Sequence, residues 1–200
     1  MQAARLIDPV VDVATETRAR VACVLAGEPG AFEQLVRDHQ GLCWHVIQRM
    51  VRHPEDTREL CQETFLRVHR HLHQYRFDAP LKSWIAQVAY SVAKRHLERK
   101  RIPLAEAVDA DGLSLAEAVG GDHDVEAAVA DDQVNRHLHA AIEALPPLQR
   151  TLLTLYHLEE LSIPEISRIT GIAEGTIKSH LFRSRRQLRA MLESNLGATA

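Results

Sequence analysis

The sequence predicts an all-α chain folded as two helical domains, an N-terminal helical bundle and a C-terminal helix-turn-helix, joined by an acidic linker. Three observations predict it. Every segment with a clear hydrophobic period repeats at helical spacing, and no run alternates as a strand does. Aromatic residues make up only 4% of the chain, which argues against a sandwich or barrel. Charge comes in blocks: residues 31–103 carry 13 basic and 8 acidic side chains, residues 104–134 carry 9 acidic and no basic ones, and residues 135–200 carry 8 and 6. Two mildly basic blocks around a stretch without Lys or Arg read as two domains and a linker.

Composition narrows the class further. At 200 residues and 46% hydrophobic, the chain can bury an ordinary core. It has no run of about 18 apolar residues, so no membrane span is expected. Its N-terminus is acidic and interrupted by Asp8 and Pro9, unlike a secretory signal, and a cytoplasmic location is expected. Cys23, Cys43 and Cys61 are too few and scattered for a disulfide framework.

The elements follow in order. Residues 1–27 read as an N-terminal extension. Phe32, Leu35, Val36, His39, Leu42, Cys43, Val46, Ile47 and Met50 mark one face of a long helix that Pro54 interrupts. Leu60, Cys61, Phe65, Val68 and Leu72 mark the buried side of a second helix. The connection QYRFDAP (74–80) leads to a third helix from about Leu81 to Arg101, with Trp84, Ile85, Val88, Ala89, Val92 and Leu97 inward. Pro103 stops it and closes a first domain over 28–103. Residues 104–128, rich in Asp and Gly, have linker composition. Helical pattern resumes at Val125, stops at Pro146-Pro147, and continues from Leu148 to Leu158, inside a second domain over 129–194.

The C-terminal stretch LSIPEISRITGIAEGTIKSHLFRSRRQLRAML (161–192) carries the most information. Ser162 and Glu165 have capping-box spacing, with Pro164 tolerated in the first turn. Gly171 stands where a helix ends in a left-handed residue. A second helix begins near Glu174, with Ile177, Leu181, Leu188 and Leu192 on its buried side. A short helix, a glycine turn and a longer basic helix make a helix-turn-helix. Thr176, Lys178, Ser179, His180, Arg183 and Arg186 are the candidate groove-reading residues, since Arg and Lys donate to guanine edges and Ser and Thr bond bases or phosphates. The plainer alternative is a helical hairpin with a basic solvent face. The run KRHLERKR (94–101) poses the same choice between a polyanion site and a solvated face.

The segment around this motif resembles the C-terminal domain of bacterial sigma factors of the small extracytoplasmic-function group. The matching residues are Leu145-Pro146, Gln149-Arg150, Leu158-Glu159, Leu161-Ser162, Glu165-Ile166 and Gly175-Thr176-Ile177-Lys178-Ser179. A second block, CQETFLRVHRHLHQYRFDAPLKSWIAQVA (61–89), is similar to that group's first domain. The resemblance implies no catalytic residues, a core RNA polymerase partner, and promoter DNA bound both as duplex and as melted single strand. It implies that 28–103 is sigma region 2 and 129–194 sigma region 4. Asp56, Glu59, Gln62, Glu63 and Leu66 would dock on the polymerase core. Tyr75, Arg76, Phe77, Lys82, Ser83, Lys94, Arg95 and Arg99 would recognise and hold the minus-ten element. The C-terminal helix would read the minus-thirty-five element. It further implies an anti-sigma factor, which can hold such a protein at the membrane.

Alternatives accompany these roles. Tyr75 or Phe77 can instead plug the domain core, and Trp84 reads as core. The chain departs from the group at Phe77, where a Gly is common, at Ser91, where an Asn is frequent, and at Arg58, where an acid is usual. Phosphorylation of Thr57 would restore the missing charge. A stand-alone helix-turn-helix regulator and a sigma-like interaction protein that starts no transcription use the same residues. Among twelve histidines, His69/His73 and His39/Cys43 have helical ligand spacing, but no CxxC or His-Glu-x-x-His is present. No metal site, phosphate loop or cofactor site is predicted.

Overall fold

A computed structural model of the chain describes residues 9–100 and 131–197. The linker expected at 104–128 lies outside the described residues. The first half contains α1 (Pro9–Leu25), α2 (Ala31–Val51), α3 (Pro54–His71) and α4 (Leu81–Arg99), with a 3-10 turn over Leu72–Gln74. The second contains α5 (Asp131–Glu143), α6 (Pro147–Leu153), a π turn over Thr154–Leu158, α7 (Ile163–Thr170) and α8 (Glu174–Gly197). The described residues include no strand.

Local chemistry explains the boundaries. Arg52 takes a left-handed conformation, φ 62°, to close α2, and its N–H reaches the Gln48 carbonyl. His53 caps α3, with Pro54 in the first turn, where a missing N–H costs nothing. Ser162 and Glu165 form the full capping box on α7, and Gly171 ends it at φ 75°. The helix α1 is an addition to the sequence reading: Pro9, taken there as an interruption, occupies the first turn of a helix.

The N-terminal bundle packs α2, α3 and α4 around Val46, Ile47, Val68, Ile85, Ala86, Ala89 and Ala93. The alanines of α4 let the helices approach closely. The second half packs around Leu145, Leu152, Leu155, Ile166 and Ile177. The two sets belong to one continuous apolar cluster, because α4 lies against α7 and α2 against α6. The charge blocks predict two domains; in the described structure those domains are in contact. Among the described residues, no helix is long and apolar enough to cross a membrane.

Candidate nucleic-acid interface

The helix α8 is held by its apolar side. Ile177 and Leu181 are buried, and the buried Ser184 hydroxyl donates to Gln149 Oε1 at 3.1 Å. The opposite side exposes Thr176, Lys178, Ser179, Arg183 and Arg186. Lys178, Arg183 and Arg186 enter no ion pair with other described residues, so their charge is available to a polyanion. His180 is half-buried, with its Nδ1 enclosed and without a hydrogen-bond partner. Burial first, and then the Arg183 charge, hold its imidazole below the ordinary histidine range. It is therefore neutral at pH 7 and adds no cation to this face.

Phe182 belongs to the same surface and escapes the sequence reading. It is 67% exposed between two sites expected to contact DNA, where an aromatic ring can meet a thymine methyl or a sugar. The signal was its phase: it is a large apolar residue off the stripe of Ile177, Leu181 and Leu188.

The connection between Gln74 and Leu81 is built around Tyr75. That side chain is buried, its hydroxyl donates to the Ala79 carbonyl at 2.6 Å, and its ring lies 5.6 Å from Trp84 and 4.5 Å from Phe77 between centroids. Burial pushes the Tyr75 phenol up, against an opposing pull from Arg18. Of the two aromatics, Tyr75 is the one that plugs the core. Phe77 is half-buried at φ 62°, a conformation that costs a bulky L-residue on the order of 1–2 kcal/mol. Arg76, Lys94, Arg95 and Arg99 are exposed.

Lys82 and Ser83 face the other domain instead. The Lys82 ammonium donates to the Glu159 carbonyl at 2.8 Å and lies 2.9 Å from Glu159 Oε2. Glu159 Oε1 lies 2.9 Å from His45 Nδ1. Burial raises the Glu159 carboxyl, but Lys82 and His45 outweigh it and leave that group below its ordinary value. Ser83 is buried, and its hydroxyl donates to Glu165 Oε1 at 2.8 Å. Arg150, only 2% exposed, completes the junction: its Nε donates to the Arg49 carbonyl, and its Nη1 to the carbonyls of Glu143 and Leu145. Burial brings the Arg150 guanidinium down to about 10.

On the far side of the bundle, α3 exposes Glu59, Gln62 and Leu66, the last at 58%. Glu63 is half-buried and paired with Arg67. Asp56 is an internal tie rather than a free acid. It lies 2.6 Å from Lys100 Nζ and 3.4 Å from His96, and the Lys100 hydrogen bond holds its carboxyl below the usual range. Thr57 needs correction: the reading of it as an exposed modification site does not stand. It is fully buried on the inner side of α3 and donates to Gln48 Oε1 at 2.6 Å. A groove of about 750 Å³ beside Leu66 is lined by Phe32, Val36, Trp44, Cys61 and Phe65. Trp44, 37% exposed and off the apolar stripe of α2, is a second out-of-phase aromatic that the sequence reading passed over.

Comparison with known proteins agrees with both halves. Residues 35–102 match the sigma-70 region 2 family and residues 136–188 the sigma-70 region 4 family. The RNA polymerase sigma-H factor of Pseudomonas aeruginosa is 32% identical over 177 residues, covering 85% of this chain and 90% of that protein. The ECF RNA polymerase sigma factor SigM of Mycobacterium tuberculosis is 30% identical over 173 residues, covering 86% and 82%. The fold is similar to that of the sigma factor RpoE solved with the anti-sigma factor NepR from Bartonella quintana. That match has a TM-score of 0.57 at 19% identity, covering 82% of this chain and 98% of that one. With both regions matched in order and relatives aligned over most of their length, the chain belongs to the extracytoplasmic-function family of RNA polymerase sigma factors, which direct the polymerase to promoters.

Proposed function

We propose that this sigma factor reads the minus-thirty-five element as duplex with Thr176, Lys178, Ser179, Arg183 and Arg186 of α8. In the same reading it holds the melted minus-ten element with the 74–83 segment and the basic end of α4. It docks on core polymerase through Glu59, Gln62 and Leu66, and an anti-sigma factor restrains it in the cytoplasm. The polymerase performs the chemistry. The observation that carries the reading is the α8 face: three exposed cations with no ion-pair partner among the described residues, beside hydroxyls, on a helix fixed by its buried side.

The packed arrangement is then a resting form. By their nominal positions, minus ten and minus thirty-five, the two elements are about 25 base pairs apart, or about 85 Å of duplex at roughly 3.4 Å per base pair. A compact chain of this length is only about 40 Å across, from a radius of gyration near 16 Å. The domains must part before both elements are engaged. Residues 101–130 can span roughly 100 Å when fully extended, at about 3.4 Å per residue, which is enough.

The test is transcription in vitro with the purified chain and sigma-free core polymerase on fragments of its own genome. Discrete start sites that require the chain are the expected result. Core binding without any start site would instead favour a sigma-like interaction protein.

A further inference from the structure

A notch of about 230 Å³ opens on the boundary between the two halves of the chain, with walls from α4 and the residues before it on one side and from α7 on the other. Its lining includes Arg76, Asp78, Ser83, Trp84, Gln87 and Arg168. The neutral acceptors there are occupied. The Ala79 carbonyl accepts from the Tyr75 hydroxyl, the Arg168 carbonyl accepts from the Gln87 amide at 3.3 Å across the boundary, and Ser83 is committed to Glu165. The donors are not. Arg76 and Arg168 are exposed, and neither is ion-paired with another described residue. Arg168 reaches Glu165 through its field alone. The Trp84 indole N–H has no acceptor among the described residues. Asp78 is the one carboxylate of the lining.

Two guanidiniums from opposite domains thus share one notch with a single acid. Like charges brought to one place repel, so this part of the seam pushes the domains apart unless something lies between them. An anion reverses the sign of that effect. A guanidinium fork matches a pair of phosphate oxygens, and a phosphoryl group has oxygens enough for two forks. A carboxylate, with two oxygens, fills one fork and leaves the other unpaired. Size narrows the choice further. The notch is smaller than the roughly 300–1,000 Å³ of pockets that enclose a whole small molecule, so it admits a phosphoryl group and excludes a nucleoside.

We propose that this notch binds one phosphoryl dianion, free phosphate or the phosphate end of a small metabolite, which bridges Arg76 and Arg168 and clamps the two domains together. The site belongs to the packed form of the free chain and stands whether or not the connection later holds DNA. A ligand that binds the packed form alone stabilises it by mass action, so parting of the domains becomes harder as the ligand accumulates.

The experiment uses the full chain by itself, carrying Trp44→Phe so that Trp84 is its sole tryptophan. Inorganic phosphate and glycerol 3-phosphate are titrated separately against chloride at constant ionic strength, with Trp84 emission as the readout. A saturable change is expected with a midpoint on the order of 1 mM, the scale that two charge-assisted hydrogen bonds leave after the cost of ordering the ligand. Scattering on the same samples should show fewer extended molecules at saturation. Arg168→Gln should weaken binding at least about tenfold, the scale of one charge-assisted hydrogen bond. Arg168→Lys, which keeps the charge but lacks the fork, should weaken it by less. Saturation by either ligand supports the site, and the tighter of the two identifies its natural form. A response no different from that to chloride overturns the site, and so does an Arg168→Gln chain that binds as its parent does.

Discussion

In the function proposed above, the α8 face meets duplex and the 74–83 segment meets single strand, and the two are held in different ways. The first rests on a regular helix whose apolar side is locked into the C-terminal core, and its cations stand in solvent. The second is an irregular connection whose aromatics are pinned from below by Tyr75 and from the side by α1, and whose Lys82 and Ser83 are bound to the opposite domain. A duplex presents a constant groove, so its reader can be finished in advance. A single strand exists only after melting, so its holder can stay partly covered until then. On the proposed reading, the difference makes readiness for duplex and readiness for single strand separable properties of one chain.

The sharpest way to break this contrast is to remove the junction that keeps the second surface covered. Arg150→Ala leaves the carbonyls of Arg49, Glu143 and Leu145 without their donor. Stability in urea should fall by about 3 kcal/mol, at about 1–3 kcal/mol per buried group left unpaired. An intact midpoint would show that the junction is not a structural tie.

Next in size is Arg183→Ala. It should cost duplex affinity about 1–3 kcal/mol and relax preference at one base pair, with single-strand affinity unchanged. Equal weakening on all duplex sequences, measured by anisotropy across a salt series, would reassign Arg183 to a phosphate.

The smallest expected effect sharpens the contrast most. Glu159→Gln removes the charge shared by Lys82 and His45, and the free chain should then bind a melted probe a few-fold more tightly, while its duplex affinity stays put. Acid should act in the same direction. The Glu159 carboxyl is depressed in the folded chain, so its contribution is fully present above the ordinary carboxylate value, about 4.3, and is lost as pH falls through the lower folded value. Scattering should show the wild type expanding on acidification with an extra step that Glu159→Gln lacks. Identical profiles would remove Glu159 from the account.

Legibility followed the range of the interactions. The helices, the capping box at Ser162 and Glu165, and the turn at Gly171 were readable because each depends on residues within one or two turns. The exposed side of α8 was readable from period and charge alone. Helix α1 escaped because a proline near a chain start marks an interruption and a helical first turn equally well. Trp44 and Phe182 were legible in principle as aromatics out of phase with their helices. The domain contact was not. His45 and Glu159 are separated by 114 positions, and neither carries a local mark of the other. Thr57 misled for the same reason: its hydrophilic neighbours suggested a surface, but its partner Gln48 lies on the preceding helix.

One detail of α7 bears on how cleanly the halves can come apart. Glu165 divides its two oxygens: Oε2 accepts from the Ser162 backbone N–H and hydroxyl, while Oε1 accepts from Ser83 across the boundary. Withdrawing Ser83 hands one oxygen to water and leaves the other at its post. The first turn of α7 therefore need not unravel when its neighbour departs, nor re-form when it returns. The proposed parting would then be that of a hinge with both leaves finished, so the same molecule could go through many rounds of engagement and release without refolding at the seam.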